Sequence, residues 1–211
     1  MKYIIMCGGD YTKWEKPRQL TEIKGEAIVA RTIRLLRENG VNDIAISSNN
    51  EAFEGYGVPV LKHKNSFYVE DRVQEGYWVN GFYPIDGPVC YLFGDVVFSE
   101  EAIKKIVETP TDDIEFFASR PPFCEAYTKQ WAEPFAFKVV NNNHLRDAID
   151  KVIELHKLGK FKRHPIAWEL WQVIKGTPIN LIEYCNYIVI NDYTCDIDYP
   201  GDAAKIESVM P

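Results

Sequence analysis

Tyr3-Ile4-Ile5-Met6-Cys7-Gly8-Gly9 is five apolar residues running straight into two glycines. A short apolar run without polar alternation reads as a strand buried on both faces, the kind found in parallel sheets. A polar stretch with Lys13, Lys16 and Pro17 follows. Val29, Ile33 and Leu36 then recur at helical spacing, and Asn39-Gly40 supplies the signal that ends the helix. Ile44-Ala45-Ile46 reads as the next strand, closed by Ser47-Ser48-Asn49-Asn50. The opening of the chain is therefore a β-loop-α-β unit of ordinary size.

The alternation continues. Val58 to Leu61 predicts a weak strand, and the spacing of Val73, Tyr77 and Asn80 predicts a helix from about Val69 to Asn80. Val89-Cys90-Tyr91-Leu92-Phe93 is a second fully apolar strand, ending at Gly94-Asp95. Ser99, followed by Glu100 and Glu101, caps a helix whose face is Ile103, Ile106 and Val107. Further strands are expected at Ile114–Ala118, Phe135–Val139, Ile179–Ile182 and Ile188–Ile190. Helices are expected around Leu145–Leu155, from Pro165 through Trp168 and Trp171, and over Ala203–Val209. No internal repeat, low-complexity tract or linker interrupts the chain. Strands alternating with helices predict a three-layer α/β fold, a mostly parallel central sheet with helices on both faces. Ligands of such sheets bind at the carboxyl ends of the strands, where strand order reverses. Two loops are singled out, one after Cys7 and one at Gly94-Asp95.

The 211 residues suffice for one sizeable core, and 46% hydrophobic with 26% charged residues excludes disorder. A net charge of -7 disfavours a nucleic-acid polyanion as main partner, while a small anionic nucleotide remains compatible with a few local lysines and a metal. Five cysteines without a C-x-x-C pair, three of them (Cys7, Cys90 and Cys185) in or beside apolar runs, fit a reducing compartment. The apolar part of the N-terminus is too short for a signal peptide, and no apolar run reaches spanning length. The expectation is a cytoplasmic protein with no membrane partner.

Three segments carry chemistry. Glycines after a first strand let backbone N–H groups approach a phosphate, and Lys13 and Lys16 bring positive charge nearby. The segment is neither G-x-G-x-x-G nor a Walker loop. Asp95, directly after a buried strand, stands where an α/β enzyme places a ligand for Mg²⁺, a cation that takes one or two carboxylates together with substrate phosphates. In Thr194-Cys195-Asp196-Ile197-Asp198-Tyr199-Pro200-Gly201-Asp202, Asp196 and Asp198 share one face of an extended segment, and either can complete a metal site with Asp95. Asp202 suits a helix N-cap. The four histidines lack metal spacing, Trp168 and Trp171 read as core or interface, and Lys157, Lys160, Lys162 and Arg163 read as a solvated helix end.

Taken in order, these motifs resemble the sugar-phosphate and alcohol-phosphate nucleotidyltransferases, which have a Rossmann-like, nucleotide-diphospho-sugar transferase fold. That family opens with a strand and a run approximating A-G-G-x-G-T-R-L, to which Cys7-Gly8-Gly9-Asp10-Tyr11-Thr12-Lys13-Trp14 is similar. Lys16-Pro17, Lys24-Gly25-Glu26-Ala27-Ile28, Ala30-Arg31-Thr32-Ile33 and Gly40-Val41-Asn42-Asp43-Ile44 continue the likeness. Leu92 through Phe98 is similar to the family's L-x-G-D-x-x-[FY], and Ile197 through Asp202 to its I-D-[TS]-x-x-D. The likeness covers the first half and the last fifteen residues; Arg120 to Tyr187 follow only in outline. Tyr11 stands for a family glycine and Lys13 for its arginine, which keeps the charge but loses the bidentate fork.

The resemblance implies one domain over 1–211, with 1–118 the nucleotide-binding half and 119–211 the acceptor-binding half and late metal-ligand segment. It implies transfer from a nucleoside triphosphate to a small phosphorylated acceptor, a sugar phosphate or phosphocholine-like molecule, with release of pyrophosphate. Mg²⁺ is held by Asp95 and Asp198, the latter chosen over Asp196 because it matches the family's late aspartate. Cys7, Gly8, Gly9, Lys13 and Asp95 bind the nucleotide, and Lys13 and Lys16 are catalytic. The expected state is a monomer or homodimer. The alternatives are a glycosyltransferase of the same fold, which prefers Asp-x-Asp where this chain has Gly94-Asp95-Val96, and a noncatalytic nucleotide-binding relative, suggested by Asp10 and Tyr11.

Overall fold

The computed structural model describes residues 1–8, 14–63, 69–70, 73–74, 77–120, 132–178 and 186–211. In chain order the strands and helices are β1 (Lys2–Met6), β2 (Glu22–Ile23), β3 (Glu26–Ala27), α1 (Ile28–Glu38), β4 (Ile44–Ser47), β5 (Val60–Leu61), β6 (Val69–Glu70), β7 (Val73–Gln74), β8 (Val89–Phe93), β9 (Val96–Val97), α2 (Glu100–Glu108), β10 (Ile114–Ala118), β11 (Pro134–Val139), α3 (Asn142–Lys157), α4 (Ala167–Lys175), β12 (Ile188–Val189), β13 (Cys195–Asp196) and α5 (Asp202–Glu207). Seven strands form the main sheet in the order β12-β10-β11-β8-β1-β4-β5. β1 pairs in parallel with both β4 and β8, while β11 runs antiparallel to its two neighbours, β8 and β10.

Every residue of β8 is buried, as its unbroken apolar sequence requires. Side chains of β11 show the two covered faces directly. Phe137 points to one side, stacked on Phe116 with ring centroids 4.5 Å apart and next to Trp171 of α4. Lys138, the following residue, points to the other side and ends among the last carbonyls of α2. α3 packs with α4, and α1 packs with α2, so the expected three layers are present. Trp168, Trp171, Phe116, Phe137, Phe82, Tyr91, Phe93 and Trp78 join edge to face into one aromatic core on the α4 side.

α1 ends as its sequence predicts. Gly40 has φ of +78°, its N–H donates to the Arg37 carbonyl and that of Val41 to Leu36, which together make a Schellman closure. Ser99 caps α2, its Oγ accepting from the Ala102 N–H at 2.8 Å. Among the described residues of Val69–Asn80 the expected helix does not form. Val69–Glu70 and Val73–Gln74 pair as a short antiparallel hairpin, and Trp78–Gly81 makes a single 3-10 turn. Backbone pairing between the two short strands takes the hydrogen bonds that a helix would have used there. Of the strands expected at Ile179–Ile182 and Ile188–Ile190, the first lies outside the described residues and the second is β12.

β1 leads through α1 to β4 on one side, and β8 lies on the other side of β1. Strand order therefore reverses between β1 and β8, and the Cys7-Gly8 and Gly94-Asp95 turns flank that point. The two strand ends touch. The Gly94 N–H donates to the Met6 carbonyl at 3.0 Å, and a Cβ on Gly94 would stand 2.5 Å from that oxygen and 2.7 Å from Cys7 Sγ.

Both the strand crossing and the buried lysine can be tested by stability. Gly94→Ala forces backbone apart at the crossing and is expected to cost about 2–3 kcal/mol, read as a lower urea midpoint; an unchanged midpoint would show that the strand ends have room. Lys138 is buried and its Nζ donates to the carbonyls of Ile106, Val107 and Thr109 at 3.0, 2.9 and 2.6 Å. Lys138→Met strips these carbonyls of their donor, and the expected loss of about 2 kcal/mol lowers the melting temperature by about 4–8 °C for a chain of this size.

Candidate active site

Asp95 follows β8 directly, and the chain returns to it from its far end. β13 pairs antiparallel with β9, placing Asp196 opposite Val96, and the Ile197 N–H donates to the Asp95 carbonyl at 3.0 Å. Polar clamps hold this late segment. Thr194 Oγ1 accepts from the Ser99 N–H, Ser99 Oγ donates to Asp192, and buried Arg31 donates to the Phe98 carbonyl and to Tyr193 Oη. Asp202 is 2% exposed; its Oδ2 accepts from the N–H groups of Asp198 at 3.1 Å and Tyr199 at 2.9 Å. The carboxylate expected to cap the helix it begins thus reaches backward and shapes the turn that carries Asp198.

The two acids expected to hold metal are brought together through a residue that sequence reasoning passed over. Arg18 Nη2 is ion-paired with Asp95 Oδ2, while Nη1 lies 3.4 Å from Asp198 Oδ1 and donates to the Ile197 carbonyl at 3.3 Å. Arg18 opens a 3-10 turn, Arg18–Leu20, directly after buried Pro17. Lys16, two residues earlier, is exposed. The signal for Arg18 was present in the sequence, a third cation in the same loop, but nothing in the spacing distinguished it from Lys13 and Lys16.

Glu133 is the second residue that sequence reasoning missed. It is buried just ahead of β11, its N–H donating to Ser119 Oγ and its carbonyl accepting from the Ser119 N–H. Because β11 runs against β8, the start of β11 lies at the carboxyl end of β8, on the site. One carboxylate oxygen each from Glu133, Asp196 and Asp198 lies within 4.8 Å of the others. Asp196 and Asp198, left as alternatives by the residue pattern, are therefore neighbours. Asp95 lies outside this group of three and joins it through Arg18.

Three carboxylates this close repel unless protons or cations intervene. Hard oxygen donors in this number suit Mg²⁺ or a similar divalent cation, with phosphate oxygens completing its shell. The oxygen donors therefore suit the metal that the motifs imply, although the clustered carboxylates are Glu133, Asp196 and Asp198 and the expected partner Asp95 stands beside them, linked through Arg18. Asp95 and Asp198 keep 18% and 39% of their side chains exposed, so the acids are open to a ligand. Cys7 lies beneath the strand ends. Its thiol is fully buried, with its pKa raised well above normal by burial and then by the charge of Asp95, so it stays protonated. Its N–H donates to the Ser47 carbonyl within the sheet. Gly8 is partly exposed at the end of β1, and Gly9 and Lys13 lie outside the described residues.

No protein-family model matches the chain, and no curated protein matches it. Solved structures do. A hypothetical transferase from Thermus thermophilus superposes with a TM-score of 0.63 at 14% identity, covering 96% of this chain and 100% of that one. HddC from Yersinia pseudotuberculosis, complexed with GMP-PN, gives a TM-score of 0.54 at 14% identity over 98% of both chains. The inositol-1-phosphate CTP transferase of T. maritima gives 0.50 at 15% identity, covering 100% of this chain and 97% of that one. At these identities the likeness is one of fold: the chain shares with these structures the layered α/β architecture, a mostly parallel sheet with helices on both faces, that its motifs led us to expect.

Proposed function

We propose that the protein is a Mg²⁺-dependent nucleotidyltransferase that joins a nucleoside triphosphate to a small phosphorylated acceptor and releases pyrophosphate. The observation that carries this reading is the convergence of Asp95, Asp198 and Arg18 at the point where strand order reverses between β1 and β8. The reading accords with the early lysines, which suit a leaving pyrophosphate, and with a fold shared with an inositol-1-phosphate CTP transferase.

In the proposed reaction a phosphate oxygen of the acceptor attacks the α-phosphorus in line. A new P–O bond forms, the bond to the β-phosphate oxygen breaks, and pyrophosphate departs with the electron pair. The nucleophile is already anionic, so the site needs no strong general base, and catalysis rests on positioning and charge compensation. Asp95 and Asp198 hold Mg²⁺, which when bound offsets negative charge on the α-phosphate. Gly8, Gly9 and Lys13 receive the β- and γ-phosphates. We assign the cation at the α-phosphate to Arg18, whose guanidinium already lies against both acids, and place Lys16, expected there from the motif, at the exposed rim. The halves 1–118 and 119–211 serve nucleotide and acceptor, with Glu133, Asp196 and Asp198 reaching from the second half to the first.

Thermal stabilisation by each of the four common triphosphates with Mg²⁺ identifies the nucleotide, since a ligand bound only to the folded state raises its melting point. Pyrophosphate release with a panel of phosphorylated acceptors then tests the reaction; absence of release with every acceptor, despite nucleotide binding, would leave a binding protein. Asp95→Asn is expected to reduce Mg²⁺-dependent release by about 10²–10³-fold while the melting temperature holds, and near-normal release would remove Asp95 from the metal site. Arg18→Ala should lower kcat more than it weakens triphosphate affinity, because charge builds on the α-phosphate mainly in the transition state. Lys16→Ala should do less; a larger kcat loss from Lys16→Ala than from Arg18→Ala reverses the two assignments.

A further inference from the structure

Arg18 contacts carboxylates from opposite ends of the chain. Its two terminal nitrogens reach Asp95 and Asp198, and the second also donates to the carbonyl of Ile197, the residue before Asp198. A planar guanidinium can bridge in this way; a lysine ammonium, a single point charge, does so less well. These are the same two acids that hold the divalent cation in the function proposed above, and the inference rests on that reading. A divalent cation takes carboxylate oxygens at about 2.0–2.1 Å and uses the lone pairs on which the guanidinium now sits. Two cations within a few ångströms also repel each other. Arg18 and the metal therefore compete for Asp95 and Asp198.

The surroundings allow the exchange. The Arg18 side chain is 29% exposed, and its residue starts a lone 3-10 turn rather than lying inside a long helix. The acids are held from behind by contacts that do not involve Arg18. Asp202 fixes the Asp198 turn through two backbone N–H groups, and the Ile197 N–H fixes the Asp95 carbonyl. A triphosphate offers a guanidinium what the carboxylates offer, paired anionic oxygens for bidentate hydrogen bonds.

We propose that Arg18 is a nucleotide-released stand-in for the metal. In the free protein it neutralises Asp95 and Asp198 and holds divalent cations off. An arriving triphosphate draws the guanidinium onto its phosphates, and the two acids become available to the cation that enters with it. Metal and triphosphate then bind with positive coupling, part of which passes through one side chain.

Mn²⁺, visible by electron paramagnetic resonance, is the probe, titrated into the full-length protein without nucleotide. Arg18→Gln is expected to bind Mn²⁺ about tenfold or more tightly than wild type, Arg18→Lys to fall between, and Arg18→Gln combined with Asp95→Asn to lose the gain. Adding the triphosphate that stabilises the protein, without acceptor, should raise Mn²⁺ affinity by a larger factor in wild type than in Arg18→Gln. Melting curves confirm that each variant is folded, and Arg18→Lys carries the comparison if Arg18→Gln is not. If Arg18→Gln binds Mn²⁺ no more tightly than wild type, while wild type with triphosphate binds it through Asp95, the exchange is refuted and the proposed function stands. If Mn²⁺ binds neither protein, with or without triphosphate, the metal reading fails and the exchange with it.

Discussion

The contact between the ends of β1 and β8 governs everything built above it. Gly94 donates to the Met6 carbonyl and leaves no space for a side chain against Met6 and Cys7. That closeness brings the turn after β1 and the turn after β8 to one place, and it puts Asp95 over the buried Cys7 thiol. Buried β8 keeps the platform rigid, paired in parallel with β1 and antiparallel with β11. Gly94 on one side and the Ile197 N–H on the Asp95 carbonyl fix the backbone of the acid at the end of this strand, so its carboxylate is aimed without being buried.

The charges above that platform are arranged in two tiers. Asp202, Ser99, Thr194 and Asp192 are structural: they satisfy backbone N–H groups and each other, and they pin β13 and the turn after it against β9 and α2. Glu133, Asp196 and Asp198 cluster, and Asp95 joins them through Arg18. Collecting like charges this way costs stability, and a structure that merely needed to fold would gain from dispersing them. Arg18 offsets part of that charge by contacting both Asp95 and Asp198.

The strands and helices were largely readable, because fully apolar runs such as Val89–Phe93 and helical spacing such as Val29, Ile33 and Leu36 report burial directly. The Val69–Asn80 stretch misled for the same reason: its spacing satisfies a helix, yet its described residues pair as a short hairpin, Val69–Glu70 with Val73–Gln74, information that local spacing does not contain. At the site, Asp95 was singled out because a carboxylate at the mouth of a buried apolar strand contributes nothing to the core beneath it and stands at the carboxyl end of the sheet, where the structure brings Arg18 against it. Arg18 was hidden among neighbouring cations, and only its reach to both acids separates it from Lys16.

By itself the sequence determined the layered α/β plan, and it raised the expectation of a ligand at two strand ends and of a late acidic segment as a partner for Asp95. All of these follow from which residues are apolar and from where glycines and acids interrupt them. Tertiary structure alone decided that Glu133 joins the acidic cluster, since this depends on β11 running against β8, and the Phe135–Val139 run does not say which way its strand points. It also decided that Arg18 reaches both Asp95 and Asp198 and that Asp202 supports the Asp198 turn from behind. Arg18 and Asp198 lie 180 positions apart, and a contact over that separation is set by how the sheet closes, which no local run of sequence encodes.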